Sequence, residues 1–382
     1  MKIQKILIVG DFAGHFRSQL FIQKLLQKDI GAEKSFVLSF VNPNSYVTVK
    51  CKQKHVKFLL NKISRLIFLL ELVIKVPFNN KIYFMAMNHR FFPHVLIANF
   101  LWRKPIVADM YISVYDAAKN RGIFGGSFVK RLLTLRFEWY YKLLDRLLIE
   151  KPSTTIYIGK LELLSISKLV KANIKRCNYK IIPPASLPKK KANPSFTNQF
   201  RICWWGTYTP LHGVENIIKT AACLKMKGVD FSLNLFGTPN HDATQYFNMI
   251  EELGLCDFVF FHTDKTFGNG LLEEYLEDKC DLSLGNFSSS ERALRAVPTK
   301  IFDSFSMNIP ILTMDTDVLR DSVDVENELF TSTIDPDDIS DIIIEIINNP
   351  DERKRRADNG YTHYLKKFSV EAVQEQFISL FN

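Results

Sequence analysis

Three segments in the second half of the chain combine glycines, basic residues and hydroxyl groups in a pattern that suits a phosphorylated ligand. In the first, Gly206 and Gly213 bracket Thr207 and His212 just before a helical stretch. A glycine-containing turn that opens a helix can bring backbone N–H groups to phosphate oxygens, and the helix N-terminus favours negative charge. His212 can add a donor. A strand–helix turn with two glycines also occurs without a ligand, so this segment alone is weak evidence.

The second segment follows an apolar run that ends at Phe236, where Gly237 and Thr238 come next. The glycine would let a ligand or a neighbouring loop approach the backbone closely. A simple turn explains the same residues equally well.

The third segment, residues 291–313, predicts a helix that starts at Pro298 and presents Thr299 near its N-terminal end. Asp303 can accept hydrogen bonds from ribose hydroxyls. Three basic side chains can neutralise a diphosphate: Arg292, Arg295 and Lys300. The alternative is a helix with ordinary surface charges.

Short apolar runs alternate with amphipathic stretches along the whole chain, and these elements must position the three segments. The predicted strands are 5–9, 35–40, 81–86, 106–109, 146–150 and 179–182, then 201–205, 231–236, 258–261, 281–284 and 309–313. Strand–helix alternation predicts an α/β protein with parallel sheets covered by helices on both faces. In such folds ligands bind outside the carboxyl ends of the strands, where all three segments lie.

A proline- and lysine-rich stretch at residues 183–194 separates two halves of opposite charge. Prolines there can continue neither a helix nor a central strand. We predict a first Rossmann-like domain over 1–184, a linker over 185–199 and a second Rossmann-like domain over 200–382.

The order and spacing of these pieces resemble the group 1 glycosyltransferases of GT-B fold, family 4 in the usual classification. The resemblance is good over residues 200–370 and weaker over 1–195. It is carried by residues 206–215, 236–238, 281–285, 297–303 and 308–313. It implies two Rossmann-like domains facing each other across a cleft, with a nucleotide-sugar bound by the second domain without a metal and transferred with retention. The last helix would pack back toward the first domain.

The family's pair of glutamates near the donor, with seven residues between them, corresponds here to Arg295 and Asp303. Its phosphate-binding arginine and lysine of the first loop correspond to Thr207 and His212. In the first half, the resemblance makes His15 a candidate cleft residue, although a packing or turn histidine is an equal alternative. Asp109 ends the predicted strand 106–109 and Asp116 lies in the loop after it, a stretch that also resembles a branch of the family. They are candidates to orient or deprotonate an acceptor hydroxyl, and Asp109 can instead cap the next element.

Charge distribution points to an anionic partner for the first half. Residues 1–195 contain 34 Lys/Arg and 10 Asp/Glu, a net charge of +24, whereas the whole chain has a net charge of +10. The basic, apolar stretch 50–66 predicts an amphipathic helix in a membrane interface, where each basic residue near an anionic surface adds about 1 kcal/mol. A lysine-rich solvated face, a helix buried against the sheet and binding of nucleic acid are alternatives. The last ranks low because no nucleic-acid module is evident.

The remaining features narrow the class further. The most apolar run, 58–76, is interrupted by four charged residues and predicts no transmembrane span, and the N-terminus reads as a buried strand and not as a signal peptide. Six scattered cysteines and eight unclustered histidines predict neither a disulfide framework nor a metal site, and no cofactor is expected. We therefore expect a cytoplasmic glycosyltransferase on the inner face of the membrane, with a lipid-linked glycan acceptor from surface polysaccharide assembly (O-antigen, capsule or lipopolysaccharide), as the resemblance implies. A non-catalytic GT-B subunit and a nucleotide-sugar epimerase are the alternatives.

Overall fold

The computed structural model describes residues 2–11, 15–26, 34–43, 54–125, 137–187, 189–194, 199–237 and 244–381. Contacts between residues divide the chain into two compact units. Unit 1 contains Met1–Pro183 together with Gln374–Asn382, and unit 2 contains Pro184–Val373.

In the described part of unit 1, six strands form one parallel sheet in the order β2-β1-β3-β4-β5-β6. The strands are β1 (Lys2–Val9), β2 (Lys34–Val41), β3 (Lys81–Phe84), β4 (Ile106–Asp109), β5 (Thr154–Tyr157) and β6 (Tyr179–Ile181). Ile6, Leu7, Ile8 and Val9 are all buried, so β1 is covered on both faces, as expected for a parallel sheet with helices on each side.

The described helices of unit 1 are α1 (Phe16–Leu26), α2 (Lys54–Lys75), α3 (Phe92–Ala98), α4 (Val114–Asn120), α5 (Glu138–Glu150) and α6 (Lys160–Val170). The C-terminal residues complete this unit. Phe377 stacks on Phe21 of α1 with ring centroids 3.9 Å apart, and Gln374 donates to the carbonyl of Leu20 at 2.9 Å.

In the described part of unit 2, a second parallel sheet has the order β12-β11-β10-β7-β8-β9. Its strands are β7 (Phe200–Trp205), β8 (Phe231–Phe236), β9 (Val259–His262), β10 (Leu282–Leu284), β11 (Ile311–Met314) and β12 (Phe330–Ser332). The α/β prediction with two parallel sheets is therefore confirmed.

The described helices of unit 2 are α7 (Val214–Met226), α8 (Thr244–Glu252), α9 (Leu271–Lys279), α10 (Thr299–Ser306), α11 (Asp317–Ser322), α12 (Pro336–Asn348) and α13 (Pro350–His363), and α14 (Val370–Ile378) leads from unit 2 into unit 1. Helix α12 shows how the sequence specifies them. Asp335 caps its N-terminus, Pro336 occupies the first turn, and Ile339, Ile343 and Ile346 form the buried stripe.

Some predicted elements differ from the structure. Residues 146–150, predicted as a strand, are the last turns of helix α5, where Tyr141, Leu144 and Leu148 form one buried stripe. A short apolar run cannot be assigned to helix or strand by periodicity alone. The strands β5 and β12 were not predicted.

The described residues of the predicted linker pack into unit 2. Ser186 N–H donates to the carbonyl of Phe368 at 3.0 Å, Ala192 N–H to that of Met307 at 2.7 Å, and Asn193 N–H to that of Glu277 at 2.9 Å. This stretch is held by backbone hydrogen bonds even though it belongs to neither a helix nor a strand.

No helix among the described residues is long and apolar enough to cross a membrane. No group of three or more His, Cys, Asp or Glu side chains among them is placed to hold a metal ion.

Candidate donor site and the first-domain candidates

The carboxyl ends of β7, β8 and β10 bring the glycine-containing turns of unit 2 together. Gly237 follows β8 and its N–H donates to the carbonyl of His262, while Gly206 follows β7 and donates to that of Phe236. A Cβ at Gly237 would lie 2.1 Å from the carbonyl oxygen of Gly206. These two turns are therefore in backbone contact, which only glycine at position 237 permits. Thr238, the other residue predicted here, lies outside the described residues.

Helix α7 begins beside the same edge of the sheet. Gly213 precedes it with a left-handed φ of 67°, and a Cβ there would lie 2.0 Å from the carbonyl oxygen of Phe287, which follows β10. The N–H of Phe287 donates to the carbonyl of His212 at 3.1 Å. The turn before α7 and the loop after β10 thus fix each other in place.

Lys300 contacts three of the segments that meet at this edge of the sheet. It lies in the first turn of helix α10, is 4% exposed, and extends its Nζ toward the turn after β7. Nζ lies 2.7 Å from Nδ1 of His212 and 3.1 Å from Oδ1 of Asn286. It also lies 4.9 Å from the centroid of the Trp204 ring, a cation–π distance.

Burial explains the electrostatics of the pair. Desolvation lowers the pKa of Lys300 to about 7, although the nearby Asp303 carboxylate favours the charged form. Burial, together with the positive charges of Lys300 and Arg292, lowers the pKa of His212 to about 3. His212 is therefore neutral near pH 7, and an Nδ1 that accepts from Lys300 leaves its proton on Nε2. The site can offer a lysine cation and an imidazole N–H to an anion.

The other residues of the third segment are placed differently from one another. Pro298 is the N-cap of α10 and not its first helical residue, and Thr299 is exposed at the helix start. Arg292 is half-buried and its charge acts on His212. Arg295 lies 3.4 Å from the carboxylate of Glu291. Thr207 is exposed in the turn after β7.

Asp303 is already engaged by residues of the predicted linker. Its Oδ1 accepts from Nζ of Lys189 at 2.9 Å and from Oγ of Ser186 at 2.8 Å. The Lys189 side chain is largely buried in this ion pair. In this conformation Oδ1 of Asp303 has two protein donors, so a ribose hydroxyl would have to compete for it or bind the other carboxylate oxygen.

Two neighbours of Lys300 were not among the predicted site residues. Asn286 follows the matching stretch 281–285 by one position, and its place directly after a predicted strand is the signal that could have identified it. Trp204 is the penultimate residue of β7 and is fully buried. A buried strand aromatic has no sequence feature that distinguishes a cation partner from a core residue.

In unit 1, the end of β4 is occupied by a buried ion pair. Asp109 is 1% exposed and its Oδ1 accepts from Arg17 of α1 at 2.9 Å. Burial raises the pKa of Asp109, with the charge of Arg17 opposing it. Asp109 is enclosed with Arg17 and Tyr83 in this structure, and its role toward an acceptor hydroxyl stays a prediction.

His15 lies next to that pair. Its ring contacts Tyr111 with centroids 4.2 Å apart, and burial and the charge of Arg17 lower its pKa to about 4. Among the described residues no hydrogen-bond partner reaches its buried Nδ1. His15 is therefore neutral near pH 7 and is the member of this group whose ring nitrogen could accept a proton or hydrogen bond.

Asp116 lies in the first turn of helix α4, where its N–H donates to Oγ of the N-cap Ser113 at 2.9 Å. The same helix start is held by buried Asp145 of α5, which accepts from Ser113 Oγ at 2.6 Å and from Tyr115 N–H at 2.9 Å. Burial raises the pKa of Asp145 to about 7. Asp116 itself is buried, so it stays a prediction that would need an opening of this helix start to meet an acceptor.

A small cavity adjoins the residues that follow β3 and β4. Its volume is about 150 Å³ and its lining includes His89, Arg90, Ile112, Arg121 and Tyr141. Arg90 donates to the Tyr141 hydroxyl at 2.9 Å, and Arg121 is exposed. This volume is below the range of about 300–1,000 Å³ that is typical of ligand pockets, so no ligand is assigned to the cavity.

Comparison with known proteins agrees with this geometry. Residues 187–363 match the sequence model of the family described as "Glycosyl transferases group 1". A search of curated proteins found no match.

Among solved structures, HepE of Anabaena in complex with UDP has a TM-score of 0.69 at 14% identity, with 99% of both chains covered. Sucrose-phosphate synthase of Thermosynechococcus elongatus has a TM-score of 0.64 at 13% identity, covering 99% of this chain and 98% of the other. The lipopolysaccharide outer core galactosyltransferase WaaB has a TM-score of 0.63 at 12% identity, with 99% of both chains covered.

These similarities extend over both units and confirm a GT-B glycosyltransferase fold for the chain. The family match covers most of unit 2, which contains the Lys300 cluster. The chain therefore has a GT-B fold, and its residues 187–363 are similar to the group 1 glycosyltransferases.

Proposed function

We propose that this chain is a retaining glycosyltransferase of family 4 that transfers a sugar from a nucleotide donor to a lipid-linked glycan. The observation that supports the proposal is the cluster of Lys300, His212 and Asn286 beneath the turn at Gly206, at the sheet edge where ligands bind in doubly wound folds. A buried amine with a pKa near 7 gains much from an anionic ligand, because the ligand's charge offsets the cost of keeping the cation out of water.

The donor diphosphate would lie against Lys300 and the imidazole N–H of His212, with Arg292 at the rim. This arrangement needs no metal ion, since side-chain cations supply the positive charge. HepE was solved with UDP and with UDP-glucose, which makes a uridine donor the first one to test. The acceptor would bind to unit 1, and the excess of Lys and Arg in residues 1–195 suits a glycan joined to an anionic lipid.

The proposed pathway is supported by similarity alone. WaaB is a lipopolysaccharide outer core galactosyltransferase, and we propose the same general setting, surface polysaccharide assembly, for this chain. We further propose that it works at the inner face of the cytoplasmic membrane, where nucleotide sugars and such acceptors meet.

The test is ligand-induced stabilisation followed by product analysis. Thermal unfolding is measured with UDP, GDP, dTDP, CDP and ADP for the wild type and for Lys300→Met. A nucleotide at about 100 times its dissociation constant adds about 2.7 kcal/mol, a shift of several degrees. We expect a shift with one nucleotide, its loss in Lys300→Met, and its persistence in Lys219→Met, which alters only an exposed pair with Glu215.

With the donor identified, anomeric analysis of the transferred sugar tests retention. A nucleotide shift that is as large in Lys300→Met as in the wild type would contradict the site assignment. The absence of a shift with any nucleotide would contradict the donor proposal.

A non-catalytic GT-B subunit is the second candidate, and the Lys189–Asp303 ion pair is the observation that favours it. The two protein donors on Oδ1 of Asp303 compete with a ribose hydroxyl for that oxygen. Nucleotide binding without sugar transfer to any acceptor extract would favour this second candidate.

A further inference from the structure

The outward face of helix α2 is apolar where a surface helix is ordinarily polar. Ser64, Phe68, Leu72 and Val76 are buried at a spacing of four residues and attach the helix and the residue after it to unit 1. The opposite face exposes a set of aliphatic side chains at spacings of three and four residues: Ile63, Leu66, Ile67, Leu70, Val73 and Ile74. Such a row of exposed aliphatic side chains on residues 63–74 needs a second apolar environment.

More exposed apolar side chains lie next to this face. Phe78, just after α2, is 72% exposed, and in the loop after α3 Phe100 and Leu101 are 73% and 81% exposed. Trp102 follows them and is also exposed. Single exposed apolar residues are ordinary, but a contiguous group marks an interaction surface.

The two sets belong to one region of unit 1. Helix α2 packs against α3, with the ring of Phe68 5.3 Å from that of Phe91 and 5.8 Å from that of His94. Phe78 precedes β3 and the Phe100–Trp102 loop precedes β4. These strands are neighbours, paired with Ile82 opposite Ile106, so both apolar sets reach the amino edge of the sheet.

The positive charge of this region favours an anionic lipid surface over a second copy of the chain as the partner of this face. Residues 54–104 contain nine Lys/Arg and a single acidic residue, Glu71, which is paired with Lys75. A second copy of the chain would bring the same positive region against itself, which like-charge repulsion opposes. An anionic lipid surface instead supplies both an apolar layer and negative charge, and tryptophan is enriched at the boundary between them.

We infer that the outward face of α2 and the Phe100–Trp102 loop form a docking surface for an anionic lipid bilayer. The helix lies in the interface with its aliphatic face toward the acyl chains, and the exposed side chains of Arg65 and Arg103 face the headgroups. This inference gives the membrane association of the proposed function a defined surface, and it rests on that proposal for its biological setting only.

The experiment is vesicle flotation with the full chain. Vesicles of equal parts phosphatidylcholine and phosphatidylglycerol are compared with vesicles of phosphatidylcholine alone, at low and high salt. We expect the chain to float with the anionic vesicles, less at high salt, and not with the neutral ones.

The variants Leu70→Gln/Ile74→Gln and Leu101→Ser/Trp102→Ser change exposed side chains only. Each is expected to lower the vesicle partition coefficient by at least about tenfold, the size expected if the interface buries about half of each side chain. Met226→Gln alters an equally exposed apolar residue of unit 2 and should leave the partition coefficient unchanged. Unchanged thermal unfolding shows that each variant is folded.

Three results would overturn the inference: no flotation with anionic vesicles, equal flotation of all variants, or a wild-type dimer in sedimentation equilibrium that Leu70→Gln/Ile74→Gln dissociates. The last would assign the face to a second copy. The melting-point shift with nucleotide is measured on the same preparations. Flotation without nucleotide binding would refute the proposed function and leave the docking surface supported. Nucleotide binding without flotation would refute only the docking surface.

Discussion

The two glycines that flank helix α7 allow a prediction with a built-in control. Gly213 and Gly228 have nearly equal left-handed φ values, 67° and 72°. An alanine at either position costs about 1 kcal/mol for the left-handed conformation. A Cβ at Gly228 meets nothing within 4 Å, whereas a Cβ at Gly213 would lie 2.0 Å from the Phe287 carbonyl oxygen. Ordinary contact begins near 3.4 Å.

Gly213→Ala must therefore displace backbone by more than 1 Å on one side of the contact, because neither atom belongs to a flexible side chain. Overpacking of this kind typically costs about 1–3 kcal/mol. We expect a total loss of about 3 kcal/mol in the free energy of unfolding for Gly213→Ala and about 1 kcal/mol for Gly228→Ala. For a domain the size of unit 2, these correspond to melting-point decreases of about 6–12 °C and about 2–4 °C.

The assay is urea and thermal unfolding of both variants, followed by nucleotide titration. Phe287 adjoins Asn286, which accepts from Lys300, so the displaced loop should also weaken nucleotide binding in Gly213→Ala and leave it unchanged in Gly228→Ala. Equal destabilisation of the two variants would refute the reasoning, since it would mean that the contact with Phe287 has no energetic weight.

Three further predictions concern charge. Lys300 binds a proton below pH 10.5 in the unfolded chain but only below about pH 7 in the folded chain. The stability of unit 2 should therefore rise with pH between about 7 and 10.5. Lys300→Met should flatten the plot of melting point against pH in this range. Asp303 favours the charged form of Lys300, and Lys189 neutralises Asp303. Lys189→Ala should therefore raise the pKa of Lys300, so that stability begins to rise at a higher pH than in the wild type. An unchanged onset would show that Lys189 and Lys300 are not coupled. Asp109→Ala leaves Arg17 buried without its carboxylate and should cost about 3–5 kcal/mol in urea unfolding, against at most about 1 kcal/mol for Glu215→Ala in an exposed pair; a similar small cost for both would contradict the buried ion pair.

The sequence was most informative where local periodicity and burial agree. The helical stretch predicted after Gly213 is helix α7, Val214–Met226, because glycines lie beyond both of its ends and its apolar residues recur every three or four positions. Strands β4 and β8 were also predicted with correct ends. The last turns of α5 were mistaken for a strand because five residues cannot distinguish the two periods.

Burial of polar side chains was beyond the reach of the sequence. Asp109, Lys300 and Asp303 were predicted as groups that face a ligand, and their residue types and positions at strand or helix ends support that reading. The structure gives each one a protein partner that lies far away in the sequence: Arg17 for Asp109, His212 for Lys300 and Lys189 for Asp303. No local pattern specifies such pairs, since they depend on how separate elements meet.

The burial of Lys300 supports its proposed role in binding an anion. A lysine cation that served stability alone would be expected to have a carboxylate within hydrogen-bond distance, as Arg17 has Asp109. Lys300 forms hydrogen bonds with a neutral amide and a neutral imidazole, and its Nζ lies over the face of a tryptophan ring. These groups tolerate the cation without neutralising it, and the resulting decrease in pKa measures the remaining cost. An anion at the edge of β7 would remove that cost, so the free energy withheld from folding becomes available for binding the ligand.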